Sequence, residues 1–282
     1  MPTRRKYGST NRSRSPRRSL KRRSSATARR SPKRRTSGQK PVFTLYCGPP
    51  GSGKTSLMDT TSVRILTDDV VEHDSTYQEL VNQLFITLDI KDADHAETRF
   101  PGLLNILSVI YYNVRTRVGC NENNDLEDDM YSLIPTEVKR AFSENGFTLE
   151  KHGCDRDVSM RLLVAVSKRR NISWETVGDK SQGWLLNALK RLDYTVNVVY
   201  VGAPLSDLQK RITGRVQTSL SKLTSKYQQG VRLADTNLTD RLQRIISNMN
   251  EIERLADGTT YYDNTKEHTK IEKSAYIALL RR

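Results

Sequence analysis

The sequence lacks the features that mark secreted, disulfide-bonded or membrane-spanning proteins. Its 282 residues include three cysteines, Cys47, Cys120 and Cys154, which form neither an even-numbered framework nor a C-x-x-C pair. This pattern favours reduced thiols and an intracellular protein. The location is the cytoplasm, or the nucleus if the basic N-terminal residues act as a nuclear localisation signal. The longest apolar run, Leu103 to Tyr112, is interrupted by polar residues and is too short to span a bilayer. We therefore expect no transmembrane segment. The N-terminus is charged throughout and shows no signal peptide.

Acidic residues are absent from residues 1–40, which contain 16 lysines and arginines. The formal net charge is +15, yet residues 41–282 hold 31 basic and 32 acidic side chains, so the excess charge belongs to the tail. The tail has almost no apolar side chains to offset its ordering entropy, and we predict that it is disordered. It suits contact with nucleic acid or another polyanion, a nuclear localisation signal, or solubilisation, and the sequence leaves these three open.

One stretch organises the rest of the chain, because Gly48-Pro49-Pro50-Gly51-Ser52-Gly53-Lys54-Thr55 matches G-x-x-x-x-G-K-[ST], the phosphate-binding P-loop. Glycines allow the tight turn through which backbone N–H groups surround phosphate oxygens. We expect Lys54 to reach the β- and γ-phosphates and the Thr55 hydroxyl to hold Mg²⁺. Residues 41–47 predict a buried strand before the loop, and a helix is expected to open near Gly53 and run past Met58. The stretch therefore predicts binding of ATP or GTP.

Acidic side chains end two further predicted strands. Residues 62–69 predict a strand that ends in Asp68 and Asp69, and residues 171–176 predict one that ends in Glu175 and Thr176. Carboxylates at the carboxyl ends of strands beside a P-loop point toward the transferring phosphate. We expect Asp68 to accept the proton of an acceptor hydroxyl, and Asp69, Glu175 and Thr176 to contact the substrate. An Asx turn or a helix cap is the alternative interpretation of residues 68–69.

Four arginines occupy two predicted helices in the second half of the chain. Arg211 and Arg215 lie four residues apart on one helix face, and Arg241 and Arg244 lie near the start of a later helix. In P-loop kinases, arginines on such helices stabilise charge on the transferring phosphoryl group. All four are therefore candidate catalytic residues of a lid, with a solvated surface position as the alternative for each.

The predicted order βαβαβαβαβ, with short crossovers, indicates an α/β fold: a three-layer αβα sandwich on a parallel sheet. We predict a P-loop kinase-like domain at residues 41–282 behind the tail of residues 1–40, with residues 91–154 as an insertion. The acidic residues 122–129 lack metal-ligand spacing and predict a solvated loop. No strand ends in the Asp-Glu pair of motor ATPases, which argues against helicases and packaging motors.

These motifs, in this order, resemble those of the zeta-toxin group of P-loop kinases, which also resembles chloramphenicol phosphotransferase. The likeness covers most of residues 41–282. It implies a P-loop kinase fold, a nucleoside triphosphate and Mg²⁺, and a small hydroxyl compound as acceptor, UDP-N-acetylglucosamine in the toxins. The resemblance also implies that Asp68 is the catalytic aspartate and that Glu175-Thr176 binds substrate. Beyond the P-loop and those residues it rests on Tyr77, Glu79-Leu80, residues 192–196, Arg211, Arg215-Val216, Arg241, Arg244, Asn248 and Tyr262-Asp263-Asn264.

The sequence departs from this family around the expected acceptor site. Val71 stands where the family has an arginine, Asp74-Ser75 replaces His-Pro, and no glycine separates Glu175 from Thr176. The segment between Asp68 and Glu175 is also longer, so the acceptor does not carry over. One function left open is a kinase for a small-molecule hydroxyl, such as that of a nucleotide sugar, or for a polynucleotide end. The other is an ATP-binding, nucleic-acid-associated protein whose kinase fold has lost catalysis.

Overall fold

A computed structural model of the chain describes residues 40–90, 100, 102–116, 130–149, 154–224 and 238–282. Residues 1–39 of the basic tail and the acidic residues 122–129 lie outside these ranges, so the expectations for both stay predictions. Lys40–Arg282 form a compact unit. Within the described ranges, no helix combines the length and apolar character needed to cross a membrane.

A six-stranded sheet lies at the centre of the described residues, in the spatial order β2-β3-β1-β4-β5-β6. In chain order its strands are β1 (Val42–Cys47), β2 (Val63–Ile65), β3 (Ile172–Thr176), β4 (Thr195–Gly202), β5 (Gly258–Asp263) and β6 (Thr269–Ile271). β6 pairs antiparallel with β5, and all other pairs are parallel. The P-loop therefore leaves the middle of the sheet, between the carboxyl ends of β3 and β4.

Helices flank this sheet, and their order along the chain confirms the predicted α/β fold. The helices are α1 (Lys54–Leu57), α2 (Thr67–Glu72), α3 (Ser75–Thr87), α4 (Leu103–Thr116), α5 (Thr136–Ser143), α6 (Cys154–Ser167), α7 (Gly183–Arg191), α8 (Leu205–Thr224), α9 (Leu238–Leu255) and α10 (Lys273–Leu280). Asp74 caps α3, because its side chain accepts a hydrogen bond from the backbone N–H of Tyr77.

The main core joins alternate residues of the strands to the apolar faces of the helices. In β1, Phe43 and Leu45 are fully buried on one face, as the period of two in a strand requires. Leu162 of α6, Leu189 of α7 and Ile245 of α9 are fully buried in the same core. Each such side chain contributes roughly 1.5–3 kcal/mol of transfer free energy, so this core fixes the carboxyl ends of the strands relative to one another.

Two predicted elements around the P-loop were wrong in extent. The P-loop helix ends at Leu57, and Met58 is extended, with ψ 134°. Asp59 then turns the chain, because its side chain accepts hydrogen bonds from the N–H and the hydroxyl of Thr61. β2 ends at Ile65, so Asp68 and Asp69 lie in the first turn of α2, where acidic residues favour a helix start.

The remaining differences lie at element ends. β6 was not predicted from the sequence. It has three residues, two of them exposed, and therefore shows no alternating apolar pattern. The apolar spacing of residues 158–168 predicts a helix from Val158, but α6 begins at Cys154, because Asp155 and Asp157 form an acidic first turn. The sheet is therefore parallel over five strands and carries one antiparallel edge strand.

Candidate functional site

A lysine, a threonine and a glutamate side chain meet at the mouth of the P-loop. Lys54 is 5% exposed, and its Nζ donates to the carbonyl oxygens of Gly48 (2.8 Å) and Pro49 (3.1 Å). The same ammonium lies 3.4 Å from Oε1 of Glu175, whose Oε2 accepts the hydroxyl hydrogen of Thr55 over 2.8 Å. Because β3 is the direct neighbour of β1, the carboxylate at its end bridges the lysine and the threonine of the P-loop.

The loop itself forms a cradle with unused donors. The Ser52 hydroxyl is fully buried and makes no hydrogen bond within the described part of the chain. The N–H groups of Gly51 and Gly53 likewise have no partner there. Both glycines have φ between 81° and 85°, a region that L-residues avoid. Orphaned donors in a turn of this kind are an anion-binding arrangement. Since α1 is a single turn, its dipole adds little, and the loop and Lys54 supply most of the attraction.

The conformation at Gly53 gives a first prediction. A Cβ at this position would lie 2.2 Å from the side-chain nitrogen of Asn264, in a backbone conformation strained for alanine. We expect Gly53→Ala to destabilise the fold by about 1–3 kcal/mol and to weaken ATP binding about 10-fold or more. Thermal unfolding and nucleotide titration measure the two effects.

Gly214→Ala is the matched control for this substitution. Gly214 is an exposed residue of α8, and its added Cβ would meet no atom within 4 Å. Alanine is favoured over glycine in a helix by up to about 1 kcal/mol, so this variant is expected to be at least as stable as the parent. Equal ATP affinity of the Gly53→Ala and parent proteins would contradict the assignment of the loop as the phosphate site.

A second set of contacts holds the P-loop from the side of β5. The Asn264 amide donates to the carbonyl of Ser52 over 2.8 Å, and a ring nitrogen of His268 lies 3.3 Å from the carbonyl of Gly53. Arg211 of α8 donates to the carbonyls of Gly51 and Asn264. The guanidinium of this predicted lid residue therefore lies on the loop backbone.

The two arginines of α9 converge on Asp179, an acidic residue that no sequence motif marks. Nη1 of Arg241 lies 3.9 Å and Nη2 of Arg244 lies 3.7 Å from Oδ2 of Asp179. Asp179 follows β3 in a loop whose Val177 carbonyl accepts the N–H of Gly48. The arginines of α9 are thus linked to the start of the P-loop through the segment after Glu175.

Asp68 makes its hydrogen bond away from the P-loop, with a residue of α4. Its Oδ1 accepts the hydroxyl of Tyr111 over 2.5 Å. One helical turn beyond Tyr111 on α4, Nε of Arg115 donates to both carboxylate oxygens of Asp155, over 3.0 and 3.1 Å. Both α4 and α6 belong to the predicted insertion, residues 91–154, or continue from it. The segment predicted as an insertion therefore contributes the Tyr111 side chain beside Asp68.

The other predicted site residues occupy less informative positions. Arg215 lies one turn beyond Arg211 on α8 and is half-buried. The Thr176 hydroxyl accepts the N–H of Gly178, so it stabilises a local turn. The side chain of Asp69 lies outside the described part of the structure. Val71 is fully buried, so this position of α2 faces the core and could not present a cation to the site.

Cys47, the last residue of β1, stands directly behind the loop. Burial raises the pKa of its thiol to about 12, although the nearby charge of Lys54 opposes this shift. The thiol is therefore neutral at physiological pH and serves as a small apolar residue behind the P-loop rather than as a nucleophile.

The structure brings together Lys54, Thr55 and Glu175, and it places Arg211 on the same loop. Four further residues of the site, Tyr111, Arg115, Asp155 and Asp179, were not predicted from the sequence. No local motif marks them, because their contacts join segments far apart in the chain.

No protein-family model matches the sequence, and no curated protein matches it. Among solved structures, a chain from the PezAT chromosomal toxin–antitoxin system of Streptococcus pneumoniae is 11% identical, with a TM-score of 0.38 over 86% of this chain and 75% of that one. A candidate kinase from Chloroflexus aurantiacus is 10% identical, with a TM-score of 0.30 over 86% of this chain and 98% of that one. Similarity at this level does not assign the chain to a family, and its function has to be inferred from its own residues.

Proposed function

We propose that this protein is a Mg²⁺-dependent kinase that transfers the γ-phosphoryl group of ATP or GTP to a hydroxyl group. The acceptor would be a small molecule such as a nucleotide sugar, or a polynucleotide end. The observation that carries the proposal is the carboxylate of Glu175, which contacts both the lysine and the threonine of the P-loop. A buried ammonium, a partly buried hydroxyl and a carboxylate meet at one point of this loop, and such a set fits a triphosphate with its Mg²⁺.

Lys54 and the loop amides would hold the phosphates. In the described state the ammonium is satisfied by the carbonyls of Gly48 and Pro49 and by Glu175. A bound triphosphate offers the ammonium stronger, charged acceptors, so Lys54 exchanges its bonds to carbonyls for bonds to phosphate oxygens. The N–H groups of Gly51 and Gly53 and the buried hydroxyl of Ser52 are donors that the same ligand would satisfy.

Thr55 and Glu175 are the residues that would hold Mg²⁺. Their oxygens lie 2.8 Å apart, and hydroxyl and carboxylate oxygens are the ligands that Mg²⁺ accepts alongside water and phosphate. The described residues contain no cluster of three or more acidic, histidine or cysteine side chains that could hold a metal without the nucleotide. The metal would neutralise charge on the phosphates, as in other P-loop proteins. On the sequence Glu175 was expected to position the acceptor; its contacts favour the metal site instead.

Asp68 would orient the acceptor hydroxyl and accept its proton. It follows β2, one strand beyond β3, so it lies at the carboxyl edge of the sheet that the P-loop also occupies. Its side chain is exposed, so an acceptor can reach it. Arg211, Arg215, Arg241 and Arg244 are the candidates that would stabilise charge on the transferring group.

A transfer assay tests the proposal. Labelled ATP and GTP are offered to nucleotide sugars, nucleosides and oligonucleotides with free 5′-hydroxyls, with and without Mg²⁺. We expect label transfer to at least one acceptor class, dependent on Mg²⁺ and lost when Lys54 is replaced by methionine. No transfer to any acceptor, with ATP binding intact, would favour the rival function, an ATP-binding, nucleic-acid-associated protein without catalysis.

Whether the protein is a kinase or a non-catalytic ATP-binding protein, its basic tail would bring it to a polyanion. We propose that residues 1–40 contact nucleic acid, because they carry 16 positive and no negative side chains. A polynucleotide acceptor would be concentrated by this contact, and the oligonucleotide arm of the assay tests that case. The proposed location of the protein is intracellular, in the nucleus or cytoplasm.

A further inference from the structure

Helix α4 places a buried tyrosine hydroxyl on the carboxylate that we propose as the base. Tyr111 is 7% exposed, and its hydroxyl donates to Oδ1 of Asp68 over 2.5 Å. Within the described ranges, no other group donates a hydrogen bond to this carboxylate. A buried donor thus meets an exposed aspartate through one of its two oxygens, and Oδ2 is left for another donor.

The tyrosine ring is fixed by aromatic neighbours on two helices. Its ring meets Tyr77 of α3 edge-on, with centroids 6.1 Å apart, and Tyr112 of α4 at 5.6 Å. Tyr77 is fully buried. Burial, and then the charge of Asp68, raise the pKa of Tyr111 far above the ordinary value for tyrosine. The hydroxyl therefore stays protonated and acts as the hydrogen-bond donor to Asp68.

The charges around Asp68 come from three helices. Its own helix α2 contributes Glu72, whose charge also acts on the Tyr111 hydroxyl. Helix α4 contributes Arg115, which is held by Asp155 of α6. Burial lowers the pKa of Arg115, but Asp155, Tyr111 and Asp68 outweigh this effect and raise it, so the guanidinium stays charged.

We propose that Tyr111 is a positioning residue, whose hydroxyl holds the Asp68 carboxylate in one orientation so that Oδ2 can receive the acceptor hydroxyl. The inference rests on the proposed function in taking Asp68 as the base. A carboxylate that rotated freely would present its oxygens to the acceptor less often. The inserted segment thereby becomes part of the acceptor side of the site.

Replacement of Tyr111 by phenylalanine removes the hydroxyl and keeps the ring. We expect kcat to fall about 10-fold, with the KM for ATP unchanged. We also expect the NMR signal of a ¹³C-labelled Asp68 carboxyl group to move, because the carboxylate loses the hydrogen bond from Tyr111. Tyr112→Phe is the matched control, since Tyr112 is 49% exposed on the same helix.

The second variant carries 3-fluorotyrosine at position 111, which fills nearly the same space and donates a stronger hydrogen bond. It should keep kcat near the parent value and move the ¹³C signal of the Asp68 carboxyl group in the opposite direction, and it serves if Tyr111→Phe fails to fold. The inference is overturned if Tyr111→Phe keeps the parent kcat, or if neither variant moves the carboxyl signal. If the parent protein transfers no phosphoryl group but the carboxyl signal moves in the variants, the contact stands and the proposed function fails.

Discussion

An Asp68→Asn protein is expected to bind ATP with the parent affinity and to transfer its phosphoryl group about 10²–10⁴-fold more slowly. The amide keeps the shape of the side chain but cannot accept a proton from a hydroxyl. The Tyr111 hydroxyl can still donate to the amide oxygen, so the fold around α2 and α4 keeps its contact. The substitution thus removes the proposed chemistry while leaving the P-loop untouched.

Single-turnover transfer and ATP titration measure the two halves of this prediction. Glu79→Gln is the control, because Glu79 is an exposed carboxylate of α3 that changes charge in the same way. Full activity of Asp68→Asn would assign the proton to another group or to solvent. Loss of ATP binding in the same protein would mean that Asp68 supports the fold of the nucleotide site instead of reacting.

The sequence predicted the nucleotide side of this site better than the acceptor side, for a physical reason. The P-loop is a continuous stretch whose glycines, lysine and threonine act within eight residues, so a linear pattern is enough to find it. Glu175 was also found, because strand ends in a parallel sheet meet at one edge. Its contact with Thr55 depends on β3 lying next to β1, and the strand order cannot be deduced from local periodicity.

The acceptor side depends on contacts between distant segments. In the sequence, Tyr111 is indistinguishable from the other apolar residues on the buried face of α4. No neighbouring residue predicts its contact with Asp68, which lies 43 positions away. Likewise the short β2 was overextended, since Leu66, Thr67 and Asp68 are compatible with both a strand end and a helix start. Tertiary contacts decide such cases, because local preferences differ by less than 1 kcal/mol per residue.

The contacts of Lys54 link nucleotide binding to the stability of the loop. Lys54→Met removes an ammonium that is 5% exposed and bonded to two carbonyls. It also leaves the Glu175 carboxylate, 22% exposed, without its cation. We expect ATP affinity to fall about 100-fold or more and stability to fall by about 1–3 kcal/mol, the cost of unsatisfied buried polar groups.

Adding Glu175→Gln to Lys54→Met separates these two effects. The neutral amide no longer needs the cation and can still bond to the hydroxyl of Thr55. The double variant should therefore recover part of the lost stability, seen as a Tm several degrees above that of Lys54→Met, without recovering ATP binding. Glu175→Gln alone should bind ATP but require more Mg²⁺ for transfer, since one proposed metal ligand is weakened. If the double variant unfolds at the same temperature as Lys54→Met, the two side chains are not coupled, and the carboxylate would owe its position to Thr55 alone.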